Sequence, residues 1–174
     1  MRPEILKFSP NGRVPNHPFL PVLLYRAALD DEDKAAGFER RFSGAGWTGI
    51  WRNGIFSYQH YHTGAHEVLG IAAGEAEVLI GGDEGRKLAV SAGDCLVLPA
   101  GTGHRRISAS SDFLVVGAYP PGQDADIRTE AATPEQLGCI AGLPLPETDP
   151  LHGERGPLPA IWTQAAGQVS KNQA

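Results

Sequence analysis

Cysteine is scarce. The 174-residue chain holds two, Cys95 and Cys139, too few for a disulfide framework, so a small fold stapled by cross-links is excluded. Both lie in apolar stretches and read as reduced, small hydrophobic residues. Long apolar runs are missing too. The longest, residues 19–25, is interrupted by Pro21 and falls far short of the about 20 residues that cross a bilayer. No apolar segment stands behind Met1, Arg2, Pro3 and Glu4 as it would in a secretory leader. A membrane partner is therefore not expected, and the cytoplasm is the expected location. Runs of lysine or arginine are absent, and with a formal charge of −5 and a pI near 5.6 nucleic acid is not an expected partner either. The chain also lacks a P-loop, a dinucleotide-binding glycine fingerprint, a serine elbow, a paired-cysteine motif and a glycosylation sequon. Covalent catalysis has no candidate nucleophile, since nothing near Cys95 lowers a thiol pKa.

What the chain has in plenty is glycine and proline, 22 and 14 residues, dispersed rather than gathered in one tract. That spread favours many short elements joined by tight turns, and the length suits one domain with a substantial core. Residues 1–29 form a Pro-rich arm, a lone strand or a wrap over the rest. Asp31 is a candidate N-cap, with Glu32 and Asp33 in the first turn. Ala35, Phe38 and Phe42 follow at helical spacing until Gly44 and Gly46 end the helix. Thr133 and Gln136 form a capping-box pattern around Pro134, opening a second helix with Leu137 and Ile140. Between these helices the period becomes two. Phe56, Tyr58, His60 and His62 share one face, and Ala76, Val78 and Ile80 alternate with Glu75, Glu77 and Leu79. The run Gly81, Gly82, Asp83, Glu84, Gly85 marks a turn, Leu88 and Val90 resume the alternation, and residues 95–98 and 113–119 read as largely buried strands. About seven or eight short strands punctuated by glycine turns predict an all-β sandwich or barrel with flanking helices. The expected division is an N-terminal arm and helix (1–46), a β core (47–122), a C-terminal extension with a short helix (123–163) and a flexible tail (164–174).

Four of the six histidines fall between positions 60 and 104. On a strand, residues i and i+2 point the same way about 6.5–7 Å apart, so His60 and His62 aim two imidazoles at one point. Thr63, Gly64 and Ala65 can reverse the chain and return the Glu67 carboxylate to that point. His104, beyond the turn at residues 99–103, can complete the set. Three imidazoles and a carboxylate suit one divalent transition metal, Fe(II), Mn, Co, Ni or Zn.

At these residues the chain resembles a family. Gly54, five residues, His60, Tyr61, His62, four residues, Glu67, six residues, Gly74 resembles the first cupin motif. Gly93, five residues, Pro99, Ala100, Gly101, two residues, His104 resembles the second, with Ser108 where asparagine is usual. The resemblance spans roughly residues 50–120. It implies a double-stranded β-helix, or jelly roll, with the metal inside the barrel near its mouth. The stretch from Trp51 through His60, His62 and Glu67, with residues 99–104 and 117–120, is similar to the YjlB-like cupins, a group without a settled activity.

Other residues carry weaker expectations. His66 is read as an outward-facing turn residue, with hydrogen-bonded support of the ligands or alternative ligation left open. His17 and His152 lie in Pro-rich loops and are expected in solvent. Arg106 shares a face with His104; it points inward and can clamp a substrate carboxylate, or the strand frays and Arg105 and Arg106 both reach water. Phe56 and Tyr58 are read as core or pocket lining, Tyr58 being a possible substrate contact. Trp47 and Trp51 are read as packing residues, and Asp94 as a turn residue bonding nearby backbone. The resemblance admits a metal-dependent enzyme acting on a small polar molecule, with dioxygenase-like or isomerase-like chemistry. The alternative is a non-enzymatic module binding a small molecule or the metal itself, and a metal that only stiffens the barrel is a third, weaker reading, set against a single site near an open mouth. A homodimer is expected, because open jelly rolls leave strand edges to be covered.

Overall fold

The computed structural model describes residues 1–172. Nine strands and three helices follow in the order β1 (Glu4–Leu6), β2 (Val22–Tyr25), α1 (Lys34–Gly44), β3 (Thr48–Asn53), β4 (Glu67–Ala73), β5 (Glu75–Ile80), β6 (Arg86–Ser91), β7 (Cys95–Leu98), β8 (His104–Ala109), β9 (Leu114–Tyr119), α2 (Pro134–Gly142) and α3 (Leu158–Asn172). The strands form a six-stranded sheet, ordered β1-β2-β7-β4-β9-β3, and a three-stranded sheet, ordered β6-β5-β8. All their pairings are antiparallel. The two sheets pack face to face as the jelly-roll sandwich that the motifs imply.

The central strands of the large sheet, β2, β7, β4 and β9, are covered on both faces, which explains why they read as continuous apolar runs and not as an alternation. On the inner face, Val22, Leu24, Leu69, Leu96 and Val115 meet Val78, Ile80, Leu88 and Val90 of the small sheet. On the outer face, Leu23, Tyr25, Val68, Val97 and Val116 meet Phe38 and Phe42 of α1 and Leu158 and Trp162 of α3. The registers align each set into a row, with Leu23, Val97 and Val68 outside and Leu24, Leu96 and Leu69 inside. Gly70 lets α1 approach, because a Cβ there would run into the Phe38 ring. The small sheet keeps a wet outer face, and its strands alternate: β6 buries Leu88 and Val90 and exposes Lys87, Ala89 and Ser91.

The helices differ in detail from expectation. The N-cap of α1 is Asp33, whose carboxylate accepts from the Ala36 N–H at 3.0 Å; Asp31 instead takes Arg40 at 2.6 Å. The Thr133 capping box of α2 is formed on both sides. The segment from 164, expected to fray, continues α3 to Asn172. Trp162 anchors that helix, donating its indole N–H to the Pro21 carbonyl at 3.0 Å; the expected tail's last residues, 173 and 174, lie outside the described residues. Both cysteines are free, Cys95 buried and Cys139 exposed on α2 rather than packed. Among the described residues no helix is long and apolar enough to cross a membrane.

One buried carboxylate holds the C-terminal segment to the sheet. Asp149 is fully buried. It accepts from the Tyr25 hydroxyl at 2.6 Å and from the backbone N–H groups of Leu151, His152 and Leu158 at 2.9, 3.1 and 3.3 Å. The last of these lies at the start of α3, so the side chain also supports that helix. Asp149→Ala leaves all of these donors without a partner. It is expected to cost about 3 kcal/mol and to lower the melting temperature by roughly 6–12 °C, checked by calorimetry, with a smaller loss in Asp149→Asn.

Candidate metal centre

The site is built where the chain leaves β3 and enters β4. Residues 56–62 were expected as a regular strand. They instead meet β8 through a single bridge, His60 opposite His104, while Tyr61 bridges to Arg128 on the other side. The segment bends because its carbonyls are taken up by different partners. Phe56 and His60 accept from the N–H groups of Arg106 and His104, both at 2.9 Å, whereas His62 accepts from Gly101 in the turn before β8 at 2.7 Å. Alternation nevertheless survives over these three residues. His60 and His62 face the cavity, and Tyr61 turns away to pack with Ala100 and Ile140.

Glu67 opens β4 opposite Leu98 and lies on the inner face with Leu69. Its Oε2 is 3.1 Å from His62 Nε2 and 3.3 Å from His104 Nε2. The imidazoles of His60, His62 and His104 offer ligand atoms within 4.8 Å of one another. Donors about 2.0–2.2 Å from one ion sit roughly 3–4 Å apart, so this spacing fits a shared cation with small adjustments. All four residues are between 2% and 7% exposed.

The three rings share a tether. Nδ1 of His60 meets the Tyr58 carbonyl at 3.1 Å, Nδ1 of His104 meets the Thr102 carbonyl at 2.9 Å, and Nδ1 of His62 meets the Asp126 carbonyl. A carbonyl only accepts, so each Nδ1 carries the hydrogen and each Nε2 is turned inward. The Asp126 side chain secures the loop around His62. Its carboxylate accepts from the N–H groups of Thr63 and Gly64 at 2.7 and 3.0 Å, from the Thr63 hydroxyl at 2.5 Å and from Arg128 at 2.6 Å. These donors hold it well below the usual carboxylate range against the opposing effect of burial.

The charges are strongly coupled. Burial pulls the His62 ring down, but the Glu67 carboxylate and the hydrogen bonds to Glu67 and Asp126 carry it up to about 9. Burial would push Glu67 up, yet His62 and His104 hold it well below its ordinary value. His60 goes the other way, lowered to about 3 by burial and then by the neighbouring His104 ring. Without a cation, the centre thus keeps a proton between His62 Nε2 and Glu67. Stability from the raised His62 is complete below its ordinary value of 6.5 and is lost as pH rises through about 9. Stability from the lowered Glu67 is present above its ordinary value and is lost as pH falls.

A cavity of about 230 Å³ opens from this centre. Trp51, expected only to pack, lies in its wall. The register places Trp51 opposite Gly117, where a Cβ would collide with the indole ring. The Trp51 N–H donates to the Tyr119 hydroxyl at 2.9 Å, and Tyr119 is pushed up to about 12 by burial and by the Glu67 charge. Phe56 also lines the cavity but is 41% exposed, and Tyr58, at 46%, stacks on Phe56 outside it; neither is core. Arg106 pairs with Val78 on the face of β8 that carries His104, is partly exposed and is not among the cavity-lining residues.

His66 does not face outward as expected. One position before Glu67, it falls on the opposite face of the large sheet, fully buried, its ring 4.9 Å from Trp162. Its Nδ1 accepts from the Ala100 N–H at 2.9 Å, so it supports the turn that delivers His104. His17 is likewise buried rather than solvated, accepting from Phe19 and Leu20 at 3.3 and 3.0 Å, and His152 is partly buried. Asp94 bonds the N–H groups of Ser91 and Ala27 at 3.1 and 2.9 Å, the backbone role expected of it. Asp126, Tyr119 and Trp51 were not anticipated at the site. Asp126 lies in an aperiodic loop, and its partners at the site are 62 to 64 residues away, so no local pattern announces it.

Residues 49–116 match the Cupin domain family model. The chain is 40% identical over 159 residues to the uncharacterized protein YjlB of Bacillus subtilis (strain 168), covering 90% of this chain and 94% of that one. Among solved structures it is similar to procruciferin, an 11S globulin from Brassica napus, at 24% identity and a TM-score of 0.40, over 48% of this chain and 23% of that one. It is also similar to acireductone dioxygenase from Bacillus anthracis with a cadmium ion in its active center, at 20% identity and a TM-score of 0.37, over 56% and 76% of the two chains.

The Asp126 side chain can be tested apart from the rings. Asp126→Ala keeps the backbone carbonyl but frees the Thr63 loop, and is expected to weaken uptake of a divalent transition ion by about 10–100-fold. Competition against a chromophoric chelator measures this, and wild-type affinity in the variant would refute the orienting role.

Proposed function

The chain belongs to the cupin family, in the group that includes YjlB, and on that premise we propose that it is a metal-dependent enzyme acting on a small molecule, with His60, His62, Glu67 and His104 holding one divalent transition ion. The observation that carries this reading is the common tether: three clustered rings with Nδ1 committed to backbone carbonyls, two of them with Nε2 against one carboxylate. An ion there supplies Lewis acidity and, if redox-active, electron transfer. A mixed nitrogen and oxygen donor set suits Fe, Mn, Co, Ni or Zn rather than a soft-thiolate ion. The protein's own groups do the rest. His62 gives up its Nε2 proton when an ion arrives, Glu67 supplies a fixed negative charge, and the apolar walls keep bulk water from the reacting atoms. The open cavity beside the centre supports an active site over a purely structural one, which would be closed by protein ligands. The expected homodimer belongs to the same proposal: β1 leaves a short edge of the large sheet with Ile5 46% exposed, and a second copy is a fitting cover.

The expected result is one first-row ion per chain by elemental analysis after reconstitution. Less than about a tenth of an equivalent would refute the proposal. His62→Ala is expected to lose most of the bound ion while its circular dichroism stays native; global unfolding would favour a stiffening role. Metal affinity should rise about tenfold per pH unit as pH climbs toward 9 and then level off, because the His62 proton must leave. Calorimetry in buffers of different ionisation enthalpy checks this, with about one proton released per ion bound near neutral pH.

A further inference from the structure

The cavity walls restrict what can occupy the proposed centre. Among the described residues, three of the six exposed large hydrophobic side chains gather at this one place. Phe56 (41%) and Ile127 (52%) line the cavity, and Tyr58 (46%) lies against Phe56 with ring centroids 4.9 Å apart and planes 12° from parallel. Apolar surface exposed at the rim of a cavity is typical of a ligand site and costly elsewhere. Deeper in, Ile55 and Leu69 continue the apolar wall beside Trp51.

Positive charge is missing from the same walls. No lining residue is lysine or arginine. Two nearby guanidinium groups are committed elsewhere, Arg52 to Glu39 at 2.6 Å and Arg128 to Asp126 at 2.6 Å. A divalent ion beside one carboxylate leaves a single positive charge. A neutral or singly charged molecule matches that surplus, whereas a phosphate or a second carboxylate would enter an apolar space without a partner. The volume, about 230 Å³, lies below the range of about 300–1,000 Å³ common for drug-sized ligands.

Building on the metal-dependent reading above, we infer that the substrate is a compact, largely apolar or aromatic molecule of low charge, carrying its oxygens at one end, and not a sugar phosphate or a dicarboxylic acid. Its oxygens face the histidines and its apolar body lies against Phe56, Ile127 and Trp51. This is a less polar molecule than the sequence motifs alone suggested. It also leaves Arg106 without a role as a carboxylate clamp.

The test uses Co(II)-loaded protein without oxygen, titrated with catechol, succinate and glycerol 3-phosphate. Binding is read by calorimetry and by quenching of Trp51, since Trp47 and Trp162 are 2% and 0% exposed. Catechol is expected to bind at least about tenfold more tightly than either acid. Phe56→Ala and Ile127→Ala are each expected to weaken catechol by about five- to tenfold with Co(II) content unchanged. Succinate or glycerol 3-phosphate binding as well as catechol overturns the inference, as does catechol binding equally to wild type and both variants. Succinate binding that disappears in Arg106→Ala overturns it in favour of a carboxylate substrate. Protein that takes up no Co(II) sinks the metal-dependent reading and this inference together, whereas loaded protein without the catechol preference sinks the inference alone.

Discussion

The hydrogen bond from imidazole Nδ1 to a backbone carbonyl is the constraint on which the centre depends. It selects one tautomer and stops the ring from rotating, so Nε2 points inward before any ligand arrives. Two of the three tethers are local: His60 and His104 each bond the carbonyl two residues earlier. The third is not. His62 relies on Asp126, 64 residues downstream, and so on the segment that leaves β9 and crosses back over residues 61–64. The precision of the centre therefore rests on the C-terminal part of the chain as well as on the barrel.

Glu67 makes that precision necessary. A fully buried carboxylate is costly unless its charge is met, and here His62 and His104 approach one of its oxygens at 3.1 and 3.3 Å. The outcome is a centre in which a proton on His62 meets the charge of the buried carboxylate. The neighbouring Tyr119 hydroxyl, already accepting from Trp51, ties the apolar wall of the cavity to the same carboxylate. Wall and centre are parts of one packed unit, and moving Trp51 off Gly117 would disturb both.

The large sheet separates two environments with a single pleat. Because successive strand residues face opposite ways, Glu67 enters the cavity while His66 enters the helical side beneath Trp162. Both serve the same site. Glu67 faces it directly, and His66 holds the Ala100 N–H in the turn that presents His104. Helix α3 is thus part of what fixes the turn, although it lies on the far side of the sheet.

Local pattern and fixed spacing carried much of this in the sequence. The alternation in β5 and β6, the capping box at Thr133 and the short strands between glycine turns were legible because each depends on neighbouring residues. The grouping of His60, His62, Glu67 and His104 was legible because two glycine-bounded turns return distant positions to one point. What the sequence could not disclose depends on long-range partners. Residues 56–62 bend because their carbonyls are divided between β8 and the 99–103 turn, and the burial of His66 follows from α3 packing over it, with the His17 ring beside it. The roles of Asp126, Trp51 and Tyr119 come from contacts made across 62 to 68 residues of chain. The sequence by itself determined the secondary-structure periods and the set of candidate donors, since both are written in short spacings. Only the tertiary structure decided which carbonyls orient the rings and how apolar the cavity is, since those depend on segments that meet only when the chain is folded.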